Sequence, residues 1–143
     1  MKVMNNDCLY CNKNQTQKDL MIEVCDLNVS TVFLFKEQSY RGRCIVAYKD
    51  HAVELYELQG AELLAFMEDV NKVARAMKEL FNPIKINYGA YSDKLPHLHM
   101  HLAPKYVDGP DYGSTFTMNP QKTYLSESEY ADMVDQLKKK LAQ

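Results

Sequence analysis

The stretch "HLHMHLAPKY", residues 97–106, puts His97, His99 and His101 at alternate positions with Leu98, Met100 and Leu102 interleaved. Alternation at period two is the pattern of a β-strand with one face in a core. Here the apolar set takes one face and three imidazoles take the other. The chain has one further histidine, His51, so a polar solvent face that merely happens to be histidine is a poor account of the cluster. Residues two apart on a strand lie about 6.6–7 Å apart at Cα, near enough to share a ligand, a metal ion or a phosphate. His97 and His101, some 13 Å apart on a straight strand, are too distant to meet one metal together. The spacing favours separate roles for the three.

The surroundings supply the rest of a sheet. "IKINYGA" (84–90) reads as a strand and "YSDKL" (91–95) as the loop that returns to the histidines. Further upstream, "LMIEVCDL", "STVFLFKE" and "CIVAYK" are apolar runs of strand length, rich in Val, Ile and Phe. "SYRGR" punctuates them, with Gly42 suited to a turn or bulge. Between Gly60 and Phe81 the period changes. Leu63, Phe66, Met67, Val70, Val73, Ala74, Met77 and Leu80 recur at three and four, one apolar stripe of a helix that Pro83 would end. A second stripe (Tyr130, Met133, Val134, Leu137, Leu141) follows a capping box made by Ser126 and Glu129. Lys138, Lys139 and Lys140 fall in its last turn, where cations complement the helix dipole. "VDGPDYGSTFTMNP" (107–120) is turn-rich and aperiodic, an irregular loop of a length that is often functional. Strands, helix, strands, helix with short strand connections predict an α+β domain: an antiparallel sheet with helices on one side.

Composition bounds the function. With 143 residues, 46% of them hydrophobic and 25% charged, the chain suits one globular domain, residues 1–143. A net charge of −2 gives no global electrostatic case for nucleic acid or an anionic membrane, so phosphate binding would have to be local. No apolar run approaches the roughly 20 residues that span a bilayer, and the first residues lack a secretory pattern, so a cytoplasmic location is expected. Cysteines in that compartment are thiols or metal ligands rather than a disulfide framework. Cys25 and Cys44 lie in apolar runs and read as core. Cys8 and Cys11 form C-x-x-C beside a polar, turn-rich start (residues 1–18), which suits either a redox dithiol or half of a metal site.

"HLHMHLAP" resembles the signature of the histidine triad family, and the likeness extends to "NYGAYSDKLPHLHMHLAPK" and to "GRCIVAYKDH" with its closing Lys-x-His. The resemblance implies a nucleotide hydrolase or nucleotidyl transferase, acting on diadenosine polyphosphates or adenosine phosphoramidates, and a homodimer with no nucleic-acid or membrane partner. By the match, His99 is the nucleophile that attacks the α-phosphate and is transiently nucleotidylated. His101 and Asn87 are phosphate contacts, although Asn87 before Gly89 also suits a purely structural turn. The zinc-containing bacterial members imply a structural Zn2+ held by Cys8, Cys11, His51 and His97, with residues 1–18 as a zinc-binding segment and 107–143 as loop and C-terminal helix. Two departures stand out. Asp93 and Lys94 replace the family's Gln-Ser/Thr, so Lys94 is either a polyphosphate contact or a solvated lysine. Arg43 stands where many members have a fourth histidine. These departures keep open a second reading, a nucleotide-binding regulatory module with little turnover. A protein that uses the C-x-x-C alone, for redox or as a zinc scaffold, is the remaining alternative.

Overall fold

The computed structural model describes residues 7–143; of the start expected to be turn-rich over 1–18, residues 1–6 lie outside them and most of the remainder is helical. Two short helices, α1 (Leu9–Asn12) and α2 (Gln15–Leu20), precede the sheet. The strands are β1 (Met21–Asp26), β2 (Ser30–Phe35), β3 (Cys44–Tyr48), β4 (Lys85–Gly89) and β5 (His99–Lys105), with α3 (Gly60–Phe81) between β3 and β4 and α4 (Glu127–Leu141) last. All pairings are antiparallel, in the order β1-β2-β3-β5-β4, so the histidine strand β5 lies between β3 and the edge strand β4.

The sheet has two differently used faces. Val32, Leu34, Cys44, Val46, Met100 and Leu102 point into the main core, where Phe66, Val70, Val73 and Met77 of α3 and Met133, Leu137 and Leu141 of α4 pack on them. The period-2 and period-3.6 stripes read from sequence therefore meet each other. At Asn82 the backbone turns left-handed, with φ 51°, and closes α3 one residue before Pro83. Asp69 of α3 is buried, yet it accepts from the Val29 amide (2.9 Å) and the Ser30 hydroxyl (2.6 Å), which ties the helix to the β1–β2 turn. The Ser126 capping box at the start of α4 forms as expected. Among the described residues no helix is long and apolar enough to cross a membrane.

The other face carries Phe33 and Phe35 of β2, Ile45 and Ala47 of β3, and the histidines of β5. The N-terminal segment covers part of it. Cys8, Leu9 and Tyr10 are buried there with Met21, Phe33, Phe35, Ile45 and Ala47. One expectation needs correction: His97 precedes β5 rather than lying in it, because the strand begins at His99. Before the strand, the Leu98 carbonyl accepts from the Tyr48 amide (3.0 Å) and the Leu98 amide donates to the Ala52 carbonyl (2.5 Å), and the chain turns at Pro96. This frees His97 from the strand's alternation.

Candidate active site and metal centre

Strand pairing places the site residues. His101 lies opposite Ile45 on β3 and Gly89 on β4, and His99 lies opposite Ala47. Cross-strand partners project to the same face, so Asn87, opposite Ala103, shares the histidine face. Asn87 sits inside β4, which removes the turn reading for it. Lys94 is exposed in the loop before the triad and, among the described residues, has no hydrogen bond or ion pair. The structure thus brings together His99, His101 and, on the same face, Asn87, and leaves Lys94 exposed in the preceding loop.

The hydrogen bonds of each imidazole assign its proton. The His99 Nδ1 is 2.6 Å from the His97 carbonyl, which can only accept, so Nδ1 carries the proton and Nε2 keeps its lone pair. Burial holds His99 below the usual imidazole range, against the opposing pull of that carbonyl, so the ring is neutral near pH 7. Ser92 donates to the same carbonyl (3.1 Å), steadying it from the loop side. His101 accepts at Nδ1 from the Arg43 guanidinium (2.9 Å). Burial, then the Arg43 charge and His99, push His101 down to about 2. The His99 and His101 rings are 5.2 Å apart between centroids.

Aromatic side chains wall this pair. Tyr10 leans on His99 with centroids 4.7 Å apart, and Phe35 meets His101 edge-on at 5.7 Å. From the 107–120 loop, Phe116 reaches within 6.3 Å of the His101 ring. Gly89 makes room for it: a Cβ there would lie 2.6 Å from the Tyr91 ring and 3.1 Å from Phe116. Lys105, buried at the end of β5, holds the loop by donating to the carbonyls of Asp111 (2.5 Å) and Ser114 (2.7 Å). Tyr112, from the same loop, is exposed. Sequence reasoning missed Tyr10 and Ser92. Tyr10 had one signal, an aromatic between the two cysteines; Ser92 had none beyond its place near the triad. Beside Tyr10, Phe33 and Ala47 opens a cavity of about 100 Å³, also lined by Asp26, Thr31 and Lys49.

A second cluster adjoins the first. Cys8 caps α1 and Cys11 follows one turn later, so both thiols face one side. His51 follows the end of β3 and His97 precedes β5; because these strands are antiparallel neighbours, the two histidines meet at one end of the sheet. One ligand atom from each of Cys8, Cys11, His51 and His97 lies within 4.8 Å of the other three. Cys8 Sγ is 3.2 Å and Cys11 Sγ 3.8 Å from His97 Nδ1, Cys11 Sγ is 3.7 Å from His51 Nδ1, and the two Nδ1 atoms are 3.2 Å apart. Ligand bonds of 2.0–2.3 Å in a tetrahedron give edges of about 3.3–3.8 Å, so these four separations lie close to the edges of a four-coordinate site. His97 Nε2 donates to the Tyr48 carbonyl (2.7 Å), which turns the Nδ1 lone pair into the cluster, the usual outer support of a metal-bound histidine. The four residues therefore fit a metal ion. Cys25 and Cys44 stand apart in the main core, and burial drives Cys44 up to about 12, an inert thiol.

Comparison with known proteins identifies the fold and the family. The HIT domain model matches residues 16–108. Protein hit of Bacillus subtilis is 27% identical over 106 residues, 71% of this chain and 70% of that protein. Adenosine 5'-monophosphoramidase hnt1 of Schizosaccharomyces pombe is 25% identical over 100 residues, 68% of this chain and 74% of that protein. Among solved structures, a histidine triad protein from Marinobacter aquaeolei superposes with TM-score 0.82 at 19% identity, covering 91% of this chain and 95% of that one. A zinc-bound histidine triad protein from Mycobacterium smegmatis gives TM-score 0.62 at 20% identity, covering 95% and 94%. With the family model spanning most of the chain and the triad strand standing where it does in the sheet, the chain belongs to the HIT domain family.

Proposed function

We propose that the protein releases nucleoside monophosphates from phosphate-linked nucleotides, of the adenosine phosphoramidate or diadenosine polyphosphate class, through a nucleotidyl-histidine intermediate. The observation that carries this reading is the orientation of His99. Its Nδ1 proton is engaged by the His97 carbonyl, so the Nε2 lone pair is the free, nucleophilic end of a neutral ring. In the first step Nε2 forms a bond to the α-phosphorus and the bond to the leaving amine or phosphate breaks, the departing group taking a proton from solvent. The carbonyl of His97 then stabilises the positive charge on the nucleotidylated ring. In the second step water attacks phosphorus, the N–P bond breaks with its electrons returning to Nε2, and the water's proton is lost to solvent. His101 and Asn87 act as phosphate contacts, and Lys94 serves substrates with additional phosphates. Transfer of this kind is mostly positioning and charge stabilisation. The cavity beside Tyr10 and Phe33 takes part of the nucleoside.

The same reading assigns Zn2+ to Cys8, Cys11, His51 and His97. Support comes from the tetrahedral edge lengths, from the donor set and from the zinc-bound relative. Two thiolates and two neutral imidazoles balance a divalent cation, which suits a partly buried site, and four protein ligands leave no open position, so the ion is structural. We read residues 1–143 as one domain, with residues 1–18 as its metal-binding segment and 107–143 as a loop and helix. The edge strand β4, which carries exposed Tyr88 and follows exposed Ile84, is the surface we assign to a two-fold partner. A second reading, nucleotide binding with little turnover, draws on the 4% exposure of His99 beneath Tyr10.

The test uses adenosine 5'-phosphoramidate with wild type and His99→Asn. Wild type should turn over many times and, on quenching, carry AMP on His99 by mass spectrometry. His99→Asn should bind AMP and retain metal, with turnover lower by several orders of magnitude. Binding without turnover in wild type would select the second reading. A His99→Asn variant that loses the metal would overturn the division of roles.

A further inference from the structure

We propose that Arg43 is a positioning residue that holds the His101 proton on Nε2 and aims that N–H at the phosphoryl group. The inference rests on the reaction proposed above. A guanidinium has five N–H donors and no acceptor. The 2.9 Å contact between Arg43 Nη2 and His101 Nδ1 therefore has one possible direction, with Nδ1 accepting. A neutral imidazole that accepts at Nδ1 carries its proton on Nε2. A histidine or glutamine in place of Arg43, able to accept as well as donate, would not fix that direction.

The surroundings hold Arg43 in that task. Its guanidinium carbon lies 4.2 Å from the Phe35 ring centroid and 5.0 Å from that of Phe116, and Nη1 donates to the Met118 carbonyl at 2.9 Å. Arg43 is fully buried, and no carboxylate among the described residues forms an ion pair with it. Glu37 acts on it only at longer range; its own oxygens accept from Ser39, Lys122 and Thr123. Arg43 Nε is buried without a hydrogen-bond partner. Burial lowers its pKa only to about 10, so the group remains a cation at neutral pH. A buried cation without a counter-charge is costly. It is kept behind the two histidines that face the anionic reaction centre. There it opposes protonation of His101 and polarises the Nε2–H bond toward an incoming phosphoryl oxygen.

The competing account is that Arg43 only fastens the β2–β3 turn to the 116–118 segment. Three measurements separate the two. Imidazole 15N spectra of the wild-type protein at neutral pH should show His101 as the neutral Nε2–H tautomer; an Nδ1–H tautomer or an imidazolium would overturn the inference even if no variant folds. Arg43→Met should lower kcat/KM for adenosine 5'-phosphoramidate by on the order of 10²-fold, the scale of an impaired phosphoryl hydrogen bond, mainly in kcat. Arg43→Lys, a donor and cation without acceptor capacity, should recover most of that loss. If Arg43→Met keeps wild-type kcat, or if Arg43→Lys is as impaired as a folded Arg43→Met, Arg43 is structural only. Absence of turnover in wild type would instead refute the reaction itself, while the 15N spectrum would still report on the tautomer.

Discussion

If Cys8, Cys11, His51 and His97 hold the proposed ion, removing it should release the N-terminal segment and leave the sheet intact. Leu9 and Tyr10 are the segment's large apolar contributions to the face of the sheet. Burying two such side chains is worth about 3–6 kcal/mol. Gln17 adds a hydrogen bond to the Leu9 carbonyl at 3.0 Å, about 1 kcal/mol net. Ordering the backbone of residues 8–14 costs about 7–14 kcal/mol. Apolar burial and that bond do not offset the ordering cost, whereas structural zinc sites contribute about 10–16 kcal/mol. The prediction follows for the chelated protein at neutral pH, with metal content verified by elemental analysis. Hydrogen exchange should lose protection at residues 9–13, where the Asn12 and Lys13 amides close α1, and should keep it across β2, β3 and β5. Tyr10 would leave His99, so AMP affinity should change as well. Unchanged protection at 9–13 in verified metal-free protein would refute the reasoning, because apolar contacts alone would then suffice.

Two further outcomes can be measured directly. His101 is held near 2 when folded and titrates near 6.5 when unfolded, so below about pH 6.5 only the unfolded chain takes up this proton. Its contribution is fully present well above pH 6.5 and is lost as pH falls toward 2, about 1.4 kcal/mol between pH 8 and pH 5.5; urea titrations at those two pH values should show a larger loss of stability in wild type than in His101→Asn, and equal losses would refute it. Lys94→Ser should reduce turnover of diadenosine tetraphosphate more than that of adenosine 5'-phosphoramidate, because the proposed role of this exposed loop lysine is contact with the additional phosphates; equal losses on both substrates would leave Lys94 a solvated loop residue.

The features legible in the sequence are those set by periodicity and covalent neighbours. α3 runs from Gly60 to Phe81 as its stripe indicates, and β2, β3 and β4 fall inside the apolar runs quoted for them. His99 and His101 were legible as face-mates because a strand leaves no other arrangement. His97 was harder. Alternation continues through residue 97 while the strand does not, and the ring's role depends on a carbonyl 49 residues away, at Tyr48. Tyr10 was illegible for a similar reason. Nothing in "CLYC" says that the segment folds back onto the sheet until the two thiols meet His51 and His97.

Arg43 marks the boundary more sharply. By comparison with the family pattern it is a departure, and a lost histidine beside His99 and His101 would be read as weakened chemistry. In the fold, what matters is which atoms can donate. His101 needs a partner at Nδ1 that never accepts, and a guanidinium meets that condition in every protonation state the protein visits. The stacking rings that make the replacement tolerable, Phe35 and Phe116, come from β2 and from a loop 81 residues later, so no local pattern announces them. A substitution at such a position is therefore read by its hydrogen-bond direction and not by its distance from a consensus. By that criterion Arg43 keeps a donor at His101 Nδ1 and adds a fixed positive charge where phosphate chemistry can use one.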